Sequence, residues 1–465
     1  MEQARTVGEL RRAGYQVASV REEMRRNLLT KLAAGERILS GIVGYDDSVI
    51  PEIENAILAG HHIVFLGERG QGKSRIMRGL LALLDASVPA IAGCEINDDP
   101  FAPICRACRQ RLSAEGDAVP IAWLGRERRY GEKLATPDVS MADLIGEIDP
   151  IKVAEGRYLA DEETIHYGLV PRTHRGIFAI NELPDLTEKV QVGLFNVMEE
   201  RDVQIKGYKI RLPLDVVIIA TANPEDYTSR GRIVTPLKDR FDAQIRTHYP
   251  VRIEDEIAIM EQEVPTLPRV GRDIRVPGFI KEVLAQLTME ARESNEINQA
   301  SGVSVRITIN NYESVIANAE KRAVRCGERE IVPRLTDLHA ILSSTAGKIE
   351  LEYAGEEKKA SDLIDRLTNR AVLKVFDRVI PVDSLQRVVE YFEGGGGVEV
   401  SDRMPAADYL EGIRGIPGLR EAIMTLGPFE SPALMAAASE LILEGLHVHR
   451  RLNKERAGGR TVYKS

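Results

Sequence analysis

The sequence has little of several features that define whole classes of proteins. Its four cysteines, spread over 465 residues, are too few for the disulfide framework of a small secreted domain. No apolar run approaches the roughly 20 residues of a membrane-spanning helix, and residues 1–5 lack the apolar core of a signal peptide. The net charge of −9 gives no overall attraction to nucleic acid. We therefore expect a cytoplasmic globular protein without a membrane span.

The pattern of apolar runs changes along the chain. Up to about residue 250, short apolar runs alternate with helical patterns, which is typical of a three-layer α/β domain with a mostly parallel sheet. Beyond that point, apolar residues recur mainly at helical spacing. The predicted divisions are an N-terminal helical extension over 1–40, an α/β domain over 41–250, a helical lid over 251–350, a helical connector ending in a flexible glycine-rich linker over 351–397, and a small C-terminal domain over 398–465.

The most specific motif lies between an apolar strand and a helical pattern that starts at Arg75. It is a phosphate-binding loop in its expected context of strand, loop and helix, formed by Gly67, Glu68, Arg69, Gly70, Gln71, Gly72, Lys73 and Ser74. The glycines allow backbone N–H groups to converge on phosphate oxygens. Lys73 can reach the β- and γ-phosphates and Ser74 can ligate Mg²⁺. We predict that ATP and Mg²⁺ bind here.

Hydrolysis of a phosphoanhydride also needs a positioned water and stabilisation of developing charge. Glu182 ends an apolar strand, where it can polarise water, and Asn181 beside it can assist the metal. Asn223 ends a neighbouring strand and can hold the water. Arg240 follows a helix at the far edge of the domain, where it can reach a neighbouring subunit's γ-phosphate. Arg306 begins a helix of the second domain and can fold back over the nucleotide.

In their order and spacing, these pieces resemble the AAA+ ATPases over residues 42–345. The segments that carry the resemblance are Walker A (Gly67–Ser74), Walker B (Ile177–Glu182), sensor 1 (Asn223), the arginine finger (Arg240) and sensor 2 (Arg306). Within AAA+, the chain is similar to the magnesium-chelatase I-subunit and MoxR group over short segments at 42–44, 135–136, 168–176, 194–201 and 220–224. The σ54-activator branch is set aside because the sequence has no Gly-Ala-Phe-Thr-Gly-Ala loop.

The resemblance implies an ATP-hydrolysing motor or chaperone that remodels or activates a partner protein. It also implies an insertion at about 140–170, a hairpin at 203–212, a hexameric ring, and a partner with a von Willebrand A domain. A true magnesium-chelatase ATPase subunit is the alternative. Walker B ends in Asn181-Glu182 where the family usually has two acids, which predicts weaker organisation of Mg²⁺ while hydrolysis is retained.

Two regions do not fit the family pattern. Cys94, Cys105 and Cys108 could supply three thiolates to zinc, with Asp98, Asp99, His61 or His62 as a fourth ligand, and partly buried free thiols are the alternative.

The C-terminal region has helices near 407–425 and 431–445, then a strand, a glycine turn and a strand. That order predicts a winged-helix unit with a basic wing at 450–464, and a DNA-binding regulator is the second functional alternative. We do not expect nucleic acid as the main partner.

Overall fold

The computed structural model describes most of the chain as two compact units. The described residues are 4–149, 151, 154, 162–200, 203–205, 208–210, 212–223, 231–264, 272–351, 357–401, 403–457 and 460–465. The units are Met1–His248 and Tyr249–Ser465. Their boundary lies beside the predicted end of the α/β domain at residue 250, and the finer divisions within each unit stay predictions.

The first unit contains a central parallel sheet and further strands that lie outside that sheet. Its strands are β1 (Ile63–Leu66), β2 (Ser87–Ile91), β3 (Ile121–Gly125), β4 (Tyr130–Leu134), β5 (Gly146–Ile148), β6 (Ile165–Tyr167), β7 (Gly176–Asn181), β8 (Val203–Ile205), β9 (Tyr208–Ile210), β10 (Val216–Ala222) and β11 (Ala243–Arg246). Five of them form the central sheet in the order β11-β1-β10-β7-β4, with every neighbouring pair parallel. The carboxyl ends of these strands therefore lie along one edge.

The central sheet is covered on both faces, which explains why its inner strands β1, β7 and β10 are almost entirely apolar. Residues that alternate along β7 enter different cores: Phe178 and Ile180 face one side, and Ile177 and Ala179 face the other. The helices of this unit are Val7–Arg12, Val20–Ala33, Val49–Ala59, Lys73–Gly79, Arg106–Glu115, Met141–Leu144, Leu169–Arg172, Glu188–Glu200 and Thr235–Arg240. The predicted three-layer αβα architecture is confirmed.

The remaining strands of the first unit form antiparallel pairs outside the central sheet. The pairs are β2 with β3, β5 with β6, and β8 with β9. In the β8–β9 pair, Val203 lies opposite Ile210, so strands occupy the segment where a hairpin was expected. The apolar run at 88–91 lies in β2 and pairs with β3 outside the central sheet.

The second unit is mainly helical and surrounds one continuous apolar core. Its helices are Ile253–Glu263, Gly278–Glu293, Arg306–Cys326, Leu342–Thr345, Glu357–Val379, Gln386–Glu393, Ala406–Ile413, Leu419–Leu426 and Pro432–Val448. Its strands are β12 (Asp273–Ile274), β13 (Glu330–Ile331), β14 (Gly397–Ser401), β15 (Asn453–Ala457) and β16 (Arg460–Lys464). Over the described residues of both units, no helix combines the length and apolar character needed to cross a bilayer.

The glycine run, predicted to be a flexible linker, is hydrogen-bonded to the preceding helix in the structure. The N–H groups of Gly394, Gly395 and Gly396 donate to backbone carbonyls of the preceding helix at 2.9–3.1 Å. Gly397 already belongs to β14, and Val398 and Val400 enter the same core as the preceding helices. The glycines form a tight turn inside one packed unit.

The C-terminal strands form an antiparallel sheet in the order β14-β16-β15. Three helices lie between β14 and β15, where the sequence predicted helical segments near 407–425 and 431–445. The third of these helices, Pro432–Val448, is buried along most of its length, including Glu440 and Glu444. The winged-helix assignment stays a prediction, but this helix has little free surface for a DNA groove.

Candidate nucleotide-binding and hydrolysis site

The phosphate-binding loop connects β1 to the helix Lys73–Gly79 and depends on its glycines. Gly70 and Gly72 have φ values of 78° and 75°, which side-chain-bearing residues rarely adopt. A Cβ atom on Gly67 would lie 2.0 Å from Thr247 Oγ1 and 2.2 Å from Gln71 Oε1. The loop is therefore a cradle of backbone N–H groups that ends at a helix N-terminus, which suits a phosphate anion.

Residues distant in sequence brace this loop. Gln71 Oε1 accepts hydrogen bonds from the Glu68 N–H at 3.0 Å and from Thr247 Oγ1 at 2.6 Å. The Tyr45 hydroxyl lies 2.9 Å from the Gln71 carbonyl and 2.6 Å from the His248 carbonyl. Burial raises the pKa of Tyr45 to about 12, so this hydroxyl stays protonated and able to donate. The sequence motif gave no sign of Tyr45 or Thr247.

Lys73 lies at the N-terminus of the helix, as the motif predicts. Its ammonium donates to the backbone carbonyl of Gly67 and, at 2.6 Å, to that of Glu68. The side chain therefore curls back over the loop that would hold the phosphates. Because the ammonium is a compact cation with three donors, it is suited to phosphate oxygens in the same cradle.

A hydrogen-bonded chain links the helix after the loop to two strand ends. Ser74 Oγ donates to Asn181 Oδ1 at 3.0 Å. Thr221 Oγ1 donates to the same amide oxygen at 2.7 Å and accepts from the Glu182 N–H at 2.9 Å. The chain exists because β7 and β10 are parallel neighbours, with Ile180 opposite Ala220. A hydroxyl and an amide oxygen in contact are hard oxygen donors, so these residues fit Mg²⁺.

Glu182 and Asn223 follow these two strands at the same edge of the sheet. Glu182 has a left-handed backbone with φ of 60° and is exposed. Such a conformation in a residue with a side chain is strained and is common at functional sites. Asn223 comes directly after β10 and is only 5% exposed. The edge at which the phosphate-binding loop begins therefore also carries the predicted base and the predicted water-orienting amide.

The structure places Arg240 on a helix surface of its own unit. Its guanidinium forms an ion pair with Glu199, to which Nε donates at 3.1 Å, and it lies 5.2 Å from the centre of the Phe195 ring. Both partners belong to the helix Glu188–Glu200. Arg306 begins a helix of the second unit and is exposed. The roles of Arg240 as finger and Arg306 as sensor stay predictions.

His174, which lies shortly before β7, has surroundings that indicate a packing role. His174 is buried, and its Nδ1 accepts a hydrogen bond from the Asp215 N–H at 2.9 Å. Burial, and secondarily the Arg175 charge, lower the pKa of His174 to about 3. The ring is therefore neutral and supports the strand that ends in Asn181.

Comparison with known proteins finds similar sequences over part of the chain. A family model described as the Sigma-54 interaction domain matches residues 153–241. The magnesium-chelatase 38 kDa subunit of Acidiphilium rubrum is 30% identical over 211 residues, 43% of this chain and 55% of that protein. The protein of the same description from Cereibacter sphaeroides is 26% identical over 234 residues, 48% and 61% of the two chains. The chain thus spans a little over half the length of these relatives.

A similar solved structure is a complex of the BchI and BchD subunits of magnesium chelatase. It matches with 18% identity and a TM-score of 0.33, over 70% of this chain and 99% of that chain. A likeness at this level adds nothing about function.

The strand order and the cradle at Gly67–Ser74 define a P-loop nucleotide-binding α/β domain. In sequence the chain is similar to magnesium-chelatase subunits and, over residues 153–241, to the Sigma-54 interaction domain, which supports an AAA+ ATPase of the magnesium-chelatase group. The σ54 branch was set aside on its missing loop, yet the matching family model carries that description. The match covers the AAA+ segment from the approach to β7 through Arg240, while the hexapeptide remains absent from the sequence.

Proposed function

We propose that this protein hydrolyses ATP to ADP and phosphate and uses the reaction to remodel a partner protein. The observation that carries the proposal is the hydrogen-bonded chain from Ser74 through Asn181 and Thr221 to the Glu182 N–H. It joins the helix that follows the phosphate-binding loop to the residue suited to activate water. A nucleotide-binding site without hydrolysis would not need that connection.

Each residue then has a defined chemical task. The loop N–H groups and Lys73 bind the β- and γ-phosphates. Ser74 and Asn181 would hold Mg²⁺, which would neutralise phosphate charge. Asn223 orients a water for attack on the γ-phosphorus. As the new P–O bond forms and the bond to the β-phosphate oxygen breaks, the Glu182 carboxylate accepts the proton of the water. That proton is then released to solvent or phosphate.

We assign Arg240 to the active site of a neighbouring subunit in a hexameric ring. Support comes from its place on the helix surface formed with Glu199 and Phe195. A guanidinium held by one carboxylate and one ring can exchange that carboxylate for a phosphate without moving far. Arg306, which begins a helix of the second unit, keeps its predicted role as a sensor of the nucleotide.

The partner we favour is a protein with a von Willebrand A domain, as in a MoxR-like chaperone. The alternative, an ATPase subunit of a magnesium chelatase, is supported by the names of the sequence relatives. The cysteine segment and the C-terminal region favour the chaperone, because neither belongs to the family pattern. A DNA-binding regulator is disfavoured, since the helix Pro432–Val448 is buried and carries acids.

The ATPase proposal is tested by replacing the loop lysine. Lys73→Ala should raise the dissociation constant of a non-hydrolysable ATP analogue at least on the order of a hundredfold, about 2.7 kcal/mol. Lys31→Ala removes a lysine paired with Glu36 at 3.1 Å and serves as the matched control, with unchanged affinity. Unchanged affinity in Lys73→Ala would refute the proposed site.

The partner is tested with a variant that traps ATP. Glu182→Gln should bind ATP without hydrolysing it and should therefore retain its target protein in a pull-down. Lys73→Ala, which should not bind ATP, should not retain the target. A retained von Willebrand A-domain protein supports the chaperone. A retained tetrapyrrole-binding protein supports the chelatase alternative. Retention of DNA alone would contradict both.

A further inference from the structure

Four residues outside the nucleotide site converge at one point of the first unit. One ligand atom each from Cys94, Asp98, Cys105 and Cys108 lies within 4.8 Å of every other. Cys94 and Asp98 lie on the loop after β2, which folds back so that the Ile91 N–H donates to the Asp98 carbonyl at 3.0 Å. The four residues belong to two separate segments, and they meet although no regular secondary structure joins those segments.

Backbone donors already orient three of the four side chains. The Asp98 N–H donates to Cys94 Sγ at 3.4 Å, and the Cys108 N–H donates to Cys105 Sγ at 3.3 Å. The Asp98 carboxylate accepts from the N–H groups of Ile104 at 3.1 Å and Cys105 at 3.0 Å. Cys105 caps the helix Arg106–Glu115, so its sulfur also lies at a helix N-terminus. N–H groups directed at sulfur and at the end of a helix favour thiolates.

Burial makes this arrangement costly unless a cation is present. Asp98 is fully buried, and Cys105 and Cys108 are about 5% exposed. Across the described residues, no cationic side chain forms an ion pair with Asp98. A buried carboxylate beside three sulfurs, with no positive partner, is expensive to desolvate. A metal cation at the centre would remove that cost.

Of the other residues considered as a fourth ligand, His61 is not part of the converging group, and Asp99 and His62 have different partners. Asp99 pairs with Arg175 at 2.9 Å and accepts from the Tyr15 hydroxyl at 2.7 Å. His62 Nδ1 accepts from the Ile218 N–H at 2.9 Å, and its Nε2 lies 2.8 Å from Arg21. Asp98 is therefore the residue that completes the set.

We propose that Cys94, Asp98, Cys105 and Cys108 bind one tetrahedral Zn²⁺ ion. Three soft thiolates and one carboxylate in four-coordinate geometry suit zinc. With zinc–sulfur bonds of about 2.3 Å, a tetrahedron places sulfurs about 3.8 Å apart, which small side-chain rotations here would achieve. A polynuclear iron–sulfur cluster needs more widely spaced ligands. Binding releases the thiol protons to solvent and involves no electron transfer.

The ion has a route to this site. A cleft of about 590 Å³ is lined by all three cysteines together with Glu162 and Tyr167, and Cys94 is only half-buried. An ion can therefore reach the sulfurs without unfolding of the unit.

The loop between the ligands also touches the approach to Walker B. Asn97 Nδ2 donates to the Arg172 carbonyl at 2.7 Å, and Arg175 Nη1 contacts the Asn97 carbonyl at 3.4 Å. The backbone of Arg175 leads directly into β7. We expect the zinc ion to stabilise the packing behind that strand and to take no part in hydrolysis.

The test measures metal in the full chain purified under reducing conditions without chelator. Elemental analysis should find one zinc per chain, and Co²⁺ substitution should give the intense visible bands of tetrahedral cobalt with sulfur-to-cobalt charge transfer. Cys105→Ser and Cys108→Ser should lose the metal, whereas Cys326→Ser, a thiol of the second unit, should retain it. Asp98→Asn should weaken binding by more than the roughly 10–100-fold seen for outer hydrogen-bond partners.

Binding of the ATP analogue reports whether each variant is folded. Should the cysteine variants fail to fold, Co²⁺ titration of the unaltered chain decides the matter alone. A reduced chain that carries no metal and gives only the pale spectrum of hydrated cobalt would overturn the proposal. The colour of an iron–sulfur cluster in the purified protein would also overturn it.

Discussion

Ser74 Oγ donates a hydrogen bond to Asn181 Oδ1 at 3.0 Å. The residue at which the chain departs from the usual pair of acids is therefore in direct contact with the hydroxyl predicted to ligate Mg²⁺. Thr221 donates to the same oxygen, so Asn181 is fixed from two sides. The amide has nearly the shape of an aspartate, but it lacks the negative charge and has an NH₂ group in place of one oxygen. The contribution of that charge can be tested.

Asn181→Asp should lower the Mg²⁺ concentration needed for half-maximal ATPase activity about fivefold. The carboxylate accepts the same two hydrogen bonds, and contacts to a charged group are worth about 1 kcal/mol more than those to a neutral one. Asn223→Asp introduces the same chemical change at the water-orienting position and should not lower the Mg²⁺ requirement. If Asn181→Asp left the Mg²⁺ requirement unchanged, the result would contradict a role of Asn181 in holding Mg²⁺.

Thr221→Val should lower turnover by a factor on the order of 10–100 while the affinity for an ATP analogue changes little. Valine keeps the shape of threonine but leaves the Glu182 N–H and the Asn181 oxygen without their shared hydroxyl, a loss of about 1–3 kcal/mol. Thr221→Ser keeps the hydroxyl and should retain most of the activity. Equal turnover in both variants would show that the hydroxyl is not needed.

Mixing two inactive variants should restore ATPase activity if Arg240 acts on a neighbouring subunit. In mixed rings of Arg240→Ala and Glu182→Gln, some interfaces combine an intact Glu182 with an intact Arg240. Steady-state phosphate release from the mixture should therefore exceed that of either variant alone.

The control mixture combines Lys73→Ala with Glu182→Gln. Both residues belong to one subunit's own site, so no interface is complete and activity should stay absent. Full activity of Arg240→Ala alone would place the finger elsewhere. An inactive mixture of exchanging subunits would contradict action in trans.

The stability of the first unit should fall with acid because of His174. Its pKa is about 3 in the folded state, lowered by burial and by Arg175 from the usual 6.5, with Cys94 opposing. As pH falls below 6.5, the unfolded state binds a proton that the folded state does not, so the free energy of unfolding drops by about 1.4 kcal/mol per pH unit until about pH 3. The loss should reach about 2 kcal/mol at pH 5.

His174→Asn should remove this part of the pH dependence, since the amide oxygen can still accept from the Asp215 N–H. Trp123, the single tryptophan, lies in the first unit and donates to the Ala4 carbonyl at 3.0 Å, so its fluorescence can follow urea unfolding of that unit. If the free energy of unfolding depended on pH in the same way in the variant and in the unaltered chain, His174 would not be a source of the pH dependence.

The local parts of the site could be predicted from the sequence. Gly67–Ser74 is a contiguous motif whose backbone geometry follows from its own glycines and the adjoining strand and helix. Asn181, Glu182 and Asn223 were predictable because each ends an apolar run, and parallel strands end at one edge.

Only the tertiary structure decided which distant residues support that site. Tyr45 and Thr247 brace the loop, Thr221 joins two strand ends, and Glu199 holds Arg240. Asp98, one of several candidates in the sequence, meets the three cysteines. The two groups differ in the separation along the chain of the residues that determine them. A strand–loop–helix is specified by neighbouring residues, whereas these contacts depend on strand register and on how separate segments pack.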